Sequence, residues 1–135
     1  MLPAITVSTV DLDRIDLLLD RLPPAQAAAR DALSDELARA DVVAPWDMPP
    51  RVVTMRSTVR FRLNGKESEW CKTLVYPKEA GQADDTVSVL SPVGSALLGL
   101  SEGDCIQWTH PDGRTLGVEV VDVVYQPERA GQYHL

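Results

Sequence analysis

Apolar residues change their spacing near residue 45 of this chain. Before that point they recur at helical intervals; after it they alternate as strands do. Leu12, Ile15, Leu18, Leu19 and Leu22 form one stripe, which predicts a first helix. Ser8-Thr9-Val10-Asp11 has the form of a capping box, with Ser8 as N-cap and the Asp11 carboxylate reaching back to its backbone. Pro23-Pro24 ends the helix, and Pro24 suits the first turn of the next, where its missing N–H is not needed. Ala28, Ala29, Leu33, Leu37 and Ala40 give that second helix, Pro24 to Ala40, a narrow stripe. Two amphipathic helices on a short connection predict an antiparallel hairpin over residues 1–44, a short coiled coil. A Pro-rich connector, 45–50, follows, with Trp46 and Met48 expected to anchor it.

Residues 51–135 read as β-structure with one helix. Val52 to Met55 predicts a short strand. From Ser57 to Leu63, Val59, Phe61 and Leu63 share one face and Thr58, Arg60 and Arg62 the other. Asn64-Gly65 is a type I′ hairpin signal, with a return strand from Lys66 to Tyr76. Thr86 to Leu90 predicts another strand. Ser91 as N-cap, Pro92 at the first position and Gly99 as C-cap then define a short helix that buries Val93, Ala96, Leu97 and Leu100. Cys105 to Thr109 and Leu116 to Tyr125 are the last strands, joined by the turn His110 to Gly113. The expected class is α+β: a twisted antiparallel sheet wrapped over one helix, preceded by the hairpin.

An apolar fraction of 44% is enough for a packed core, and 5% aromatics make that core aliphatic. The formal charge of −7 argues against a protein that chiefly grips nucleic-acid phosphates. Arg51, Arg56, Arg60, Arg62 and Lys66 form a local basic stripe, best read as a strand face balanced by neighbouring acids. Cys71 and Cys105 sit in apolar segments and read as two buried thiols, with a structural disulfide as the weaker alternative. His110 and His134 have no ligand companions nearby in sequence. The N-terminal segment lacks the basic and apolar regions of a secretory signal, and no run approaches a membrane span; both predict a cytoplasmic protein.

Catalytic and cofactor motifs are missing: there is no GxGxxG, no phosphate loop, no HExxH and no nucleophile elbow. Gly94 and Gly99 are read as a close-packing residue and a cap. The acid pairs Asp84-Asp85 and Asp20/Asp31 read as solvated carboxylates, with no apolar wall in sequence to raise their pKa values. No metal, cofactor or catalytic residue is therefore expected.

VVTMRSTVRF (52–61), TLVYP (73–77), SPVGSALLGLSEGD (91–104), YQPERAGQY (125–133) and the opening DLDRIDLLL (11–19) resemble the Rnk-type regulators of nucleoside diphosphate kinase, in order along nearly the whole chain. The SPVGSALLGL-xx-GD block also resembles the C-terminal domain of the Gre transcript cleavage factors. That resemblance implies an FKBP-like fold for residues 51–135 and docking on the rim of the RNA polymerase secondary channel. Gre factors insert a long coiled coil whose tip acids hold a catalytic magnesium. Here the second helix spans roughly 25 Å at about 1.5 Å per residue, and the tip Arg21-Leu22-Pro23-Pro24-Ala25 has no acid pair. Transcript cleavage is therefore not carried over. Competition with Gre factors for the channel is what the resemblance implies instead, with an indirect effect on nucleoside diphosphate kinase.

The docking residues implied are Ser91 and Pro92, at the start of the short helix, with Tyr76, Pro77 and Asp85 placed nearby by strand order. The alternative for Ser91-Pro92 is a well-made helix start and nothing more. Three other functions stay open: direct binding of nucleoside diphosphate kinase, peptidyl-prolyl isomerisation by analogy of fold, and DNA binding through the Arg60/Arg62 face. A monomer is expected, and the apolar stripe of so short a hairpin leaves a dimer open.

Overall fold

The computed structural model describes residues 4–64, 69–80, 85–109 and 115–132. Gly65 and Lys66, Asp84, the turn from His110 to Gly113, and His134 lie outside them. The chain begins with strand β1 (Thr6–Ser8) and runs directly into helix α1 (Thr9–Asp20). A single 3-10 turn at Pro24–Gln26 leads into helix α2 (Ala27–Ala38), and strand β2 (Asp41–Val43) closes the segment. β1 and β2 pair in parallel, Thr6 opposite Asp41 and Ser8 opposite Val43. Parallel strands need a long crossover, and the two helices supply it. The pattern of short strands at the base of the hairpin gave no periodic signal, because three residues are too few to alternate.

Strands β3 (Thr58–Leu63), β4 (Glu69–Val75), β5 (Thr86–Ser88), β6 (Cys105–Thr109) and β7 (Thr115–Tyr125) form one sheet in the order β5-β4-β3-β7-β6. Helix α3 (Pro92–Leu97) packs on it. The expected α+β architecture is present, with one difference: β5 lies parallel to β4, Thr73 opposite Thr86 and Val75 opposite Ser88, so the sheet is mixed. Asn64, just after β3, has φ +54°, in the left-handed region that Asn tolerates better than most residues.

The core is continuous from hairpin to sheet. Ile5, Val7, Ile15, Leu19, Leu33 and Leu37 lie in one cluster with Val53, Met55, Val59, Phe61, Leu74, Leu97, Leu100 and Val120. The helical stripes thus bury themselves against the sheet domain as well as against each other. Docking is reinforced by backbone: the Thr6 N–H donates to the Gly99 carbonyl at 3.2 Å.

Val52 to Met55 is extended and buried but is not a ladder strand. It makes one bridge, Val52 to Ser101, and exchanges bonds between Val53 and residues 99 and 100. Its remaining bonds are local turns, Val52 N–H to the Pro49 carbonyl and Ser57 N–H to the Thr54 carbonyl, and side chains such as Ser57, Asp11 and Gln126, none of which propagates a ladder. Gln126, fully buried, donates through Nε2 to the carbonyls of Pro49 (2.9 Å) and Val52 (2.7 Å) and so ties the connector to the C-terminal tail. Met48 is buried as expected, whereas Trp46 is 66% exposed and does not anchor the connector by burial.

Candidate docking face

The register of β4 on β5 decides which of the implied site residues meet. In a parallel pair both strands end on the same side, so Tyr76 and Pro77, after β4, share that end of the sheet with the turn from Ser88 to Ser91 and the start of α3. Val89 N–H to the Val75 carbonyl, 2.9 Å, continues the pairing into this corner. Asp85 lies at the other end of β5, exposed, with its carbonyl taken by the Thr73 N–H at 2.7 Å. Four of the five residues are therefore brought to one end and Asp85 is not.

Ser91 is occupied with the fold. Its hydroxyl accepts from the Gly94 N–H (3.1 Å) and donates to the Ser88 carbonyl (2.6 Å). The Ser95 hydroxyl donates to the Val89 carbonyl at 2.7 Å. Gly94 is where α3 lies backbone to backbone on this turn: a Cβ there would fall 1.9 Å from the Ser88 carbonyl oxygen. Gly99 follows the helix at φ +83°, the left-handed conformation of a helix C-terminus.

Beside this corner runs a cleft of about 920 Å³ between α1 and the turn after β4. Arg14, Leu17, Leu18, Arg21 and Leu22 form one wall and Arg56, Tyr76, Pro77, Lys78 and Glu79 the other. The far wall is braced. Arg56 forks onto Glu79 (3.0 and 3.3 Å) and lies over the Tyr76 ring at 5.4 Å. Arg56 has φ +65°, a conformation that non-glycine residues adopt only where packing holds them. The Tyr76 hydroxyl is buried beside Arg14, without a hydrogen bond of good geometry. Burial, and next the Asp11 carboxylate, push its pKa up.

Asp11 corrects the expected capping box. Ser8 does cap α1, accepting from the Asp11 N–H at 3.0 Å. The Asp11 carboxylate, 3% exposed, does not reach back; it accepts from the Met55 N–H at 3.1 Å, across to the sheet domain. Burial raises its pKa to about 7, the Glu128 carboxylate adding to the rise and the Met55 N–H, Arg14 and Arg56 opposing it. Glu128 accepts from the Thr54 hydroxyl (2.8 Å), which meets the Ser57 hydroxyl (2.8 Å). A buried polar seam thus joins α1, residues 54–57 and the tail.

Among the described residues the four arginines of the basic stripe are balanced by acids. Arg62 pairs with Glu69 (2.8 Å) and Glu119 (3.6 Å), Arg60 with Asp122 (3.6 Å) and Glu69 (3.8 Å), and Arg51 with Glu102 (3.8 Å). Such exposed pairs contribute about 0–1 kcal/mol each. Cys71 and Cys105 are exposed, not buried. Cys71 stands opposite Arg60, on the polar face, and Cys105 opens an edge strand; the apolar neighbours in sequence belong to the other face. Among the described residues no group of three or more His, Cys, Asp or Glu could hold a metal, and no helix is long and apolar enough to cross a membrane.

Comparison with known proteins agrees with this layout. A family model described as "Transcription elongation factor, GreA/GreB, C-term" matches residues 48–125, and one described as "Rnk N-terminus" matches residues 3–43. The regulator of nucleoside diphosphate kinase of Escherichia coli (strain K12) is 44% identical over 133 residues, 98% of each chain. Transcription elongation factor GreA of Helicobacter hepaticus is 34% identical over 90 residues, 67% of this chain and 55% of that protein. Among solved structures, a prokaryotic transcription elongation factor GreA/GreB from Nitrosomonas europaea is 50% identical, covers 91% of this chain and 99% of its own, and superposes with a TM-score of 0.70.

Proposed function

Because this chain belongs to the family of the regulators of nucleoside diphosphate kinase, with a Gre-type C-terminal domain, we propose that it is a non-catalytic regulator that docks on RNA polymerase. Residues 51–135 make the contact near the secondary channel, residues 1–44 form the hairpin that faces the channel, and 45–50 connects them. The observation that carries this reading is the match of the Gre C-terminal model to residues 48–125. Support comes from the corner at which Tyr76, Pro77 and the start of α3 meet.

The hairpin supports a role without transcript cleavage. α1 and α2 have 12 residues each, about 18 Å at roughly 1.5 Å per residue. The turn between them, Arg21 to Gln26, contains no carboxylate, so the residues do not fit a magnesium held at the tip. The protein then acts by occupancy, and Gre factors compete with it for the same rim.

Binding to core polymerase, measured by fluorescence anisotropy with unlabelled GreA as competitor, tests the reading. Displacement by GreA is expected. Pro92→Arg, at the first position of α3, weakens binding with an unchanged melting temperature. Added to backtracked elongation complexes, the protein leaves the RNA uncut; robust cleavage lost in Asp20→Asn would overturn the reading. The name carried by the relatives supports a second reading, direct binding of nucleoside diphosphate kinase. A pulldown from lysate that retains the kinase and no polymerase subunits favours that one.

A further inference from the structure

We propose that Arg56 is the positioning residue of the docking corner: it sets where Tyr76 and Pro77 stand, without itself touching the partner. The inference rests on the polymerase reading above, because it gives Arg56 a task in that same corner.

Arg56 holds a strained backbone. Its φ of +65° lies in the left-handed region, which glycine adopts freely and a residue with a Cβ does not. The surroundings fix it there. The Arg56 N–H donates to the Leu74 carbonyl at 2.6 Å and the Leu74 N–H donates to the Ser57 carbonyl at 2.9 Å, so residues 56 and 57 lie beside the end of β4. The preceding residues are tied down as well: the Met55 N–H donates to Asp11 of α1, and the Thr54 hydroxyl to Glu128 of the tail. Arg56 therefore stands on a fixed base, and its strain is tolerated for what its side chain reaches.

That side chain reaches the turn after β4. The guanidinium forks onto Glu79 at 3.0 and 3.3 Å and lies 5.4 Å from the centroid of the Tyr76 ring. The backbone bonds of the turn are local, Glu79 N–H to the Tyr76 carbonyl at 2.9 Å and Ala80 N–H to the Pro77 carbonyl at 3.3 Å. They shape the turn, whereas Arg56 attaches it to the fixed base. The net effect on stability is small. An ion pair whose side chains are 28% and 34% exposed is weak, a part-exposed cation–π contact adds little, and the backbone strain opposes both. The effect on position is larger, because a two-bond fork fixes direction as well as distance. The Tyr76 hydroxyl lies beside Arg14 of α1, so loss of Arg56 loosens the corner without releasing it.

The test compares wild type, Arg56→Gly, Glu79→Gln and the double variant in three measurements: affinity for core polymerase, amide exchange of Ala80 in the free protein by NMR, and thermal melting. Arg56→Gly is expected to bind about tenfold more weakly, since apparent affinity scales with the fraction of molecules whose corner is in place. Its Ala80 amide exchanges faster, and its melting temperature stays near that of wild type because relieved strain offsets the lost pair. Glu79→Gln weakens binding in the same way, although the charge of Arg56 remains. The double variant binds no more weakly than Arg56→Gly, since the two residues form one brace. Arg56→Lys, which keeps the charge and loses the fork, falls between. Wild-type affinity in Glu79→Gln beside a weak Arg56→Gly makes Arg56 a direct contact and overturns the inference. Additive losses in the double variant, unchanged Ala80 exchange, or a melting temperature that falls in step with affinity overturn it too. Polymerase binding that is equal in all the proteins removes this inference and leaves the polymerase reading standing; a wild type that does not bind polymerase removes both.

Discussion

Replacing Asp11 by Asn should stabilise this protein at neutral and alkaline pH and do little in acid. The carboxylate is 3% exposed, and its pKa rises from an ordinary 3.8 to about 7. An acid whose pKa is raised by folding binds its proton more tightly in the folded state. Its contribution is most favourable below pH 3.8 and is lost as the pH climbs to about 7, beyond which the loss is complete. At about 1.4 kcal/mol per pH unit, that window amounts to about 4 kcal/mol, against a total stability of about 5–15 kcal/mol for a domain. Asn keeps an oxygen to accept the Met55 N–H and cannot ionise, but its NH2 group must find partners in the seam, and an unsatisfied buried donor costs about 1–3 kcal/mol. A net gain of about 1–3 kcal/mol at pH 8 is expected. Urea unfolding followed by tryptophan fluorescence, at intervals from pH 4.5 to 8.5, reads it out, and comparison of the two proteins cancels the other titrating groups. The stability difference, variant minus wild type, should grow with pH and level off above about pH 7. A difference that stays flat across this range would refute the reasoning, whatever its sign, because only ionisation of Asp11 predicts the slope.

Gly94→Ala should lower stability by more than about 2 kcal/mol or prevent folding, because its methyl group would meet the Ser88 carbonyl, which is backbone and cannot rotate away; a thermal melt checks it. Ser91→Ala removes the N-cap of α3 and both bonds of that hydroxyl, for a loss of about 1 kcal/mol in chemical denaturation. Both thiols should react with Ellman's reagent in the native protein without denaturant, since Cys71 and Cys105 are exposed; a thiol that reacts only after unfolding would contradict the strand faces assigned here.

Much of this was legible in the pattern of residues. The stripe of α1, the alternation of β3 around Val59 and Phe61, and Ser91 capping α3 each follow from rules that act over a few positions. Elements of three residues did not announce themselves: β1 and β2 are recognised only by pairing across the whole hairpin. Strand order alone suggests Tyr76, Pro77 and Asp85 near Ser91 and Pro92; the parallel register of β5 on β4 puts Tyr76 and Pro77 at that end of the sheet and Asp85 at the other. The α1 wall of the cleft has no mark in the sequence, because only the fold lays the turn after β4 across from Arg14, Leu17 and Leu18.

Local chemistry determined the class, the caps and the balance of the basic stripe, because hydrophobic period, turn residues and neighbouring charges all operate at short range. Tertiary structure decided what lies across from what. Asp11 has the spacing of a cap and could have closed the capping box on Ser8. The fold instead buries it and presents it with the Met55 N–H; burial first, and then the carboxylate of Glu128, more than a hundred residues away, keep its proton on. A carboxylate's partner and its pKa depend on distances through space and on exclusion of water, and neither quantity is written in the order of residues along the chain.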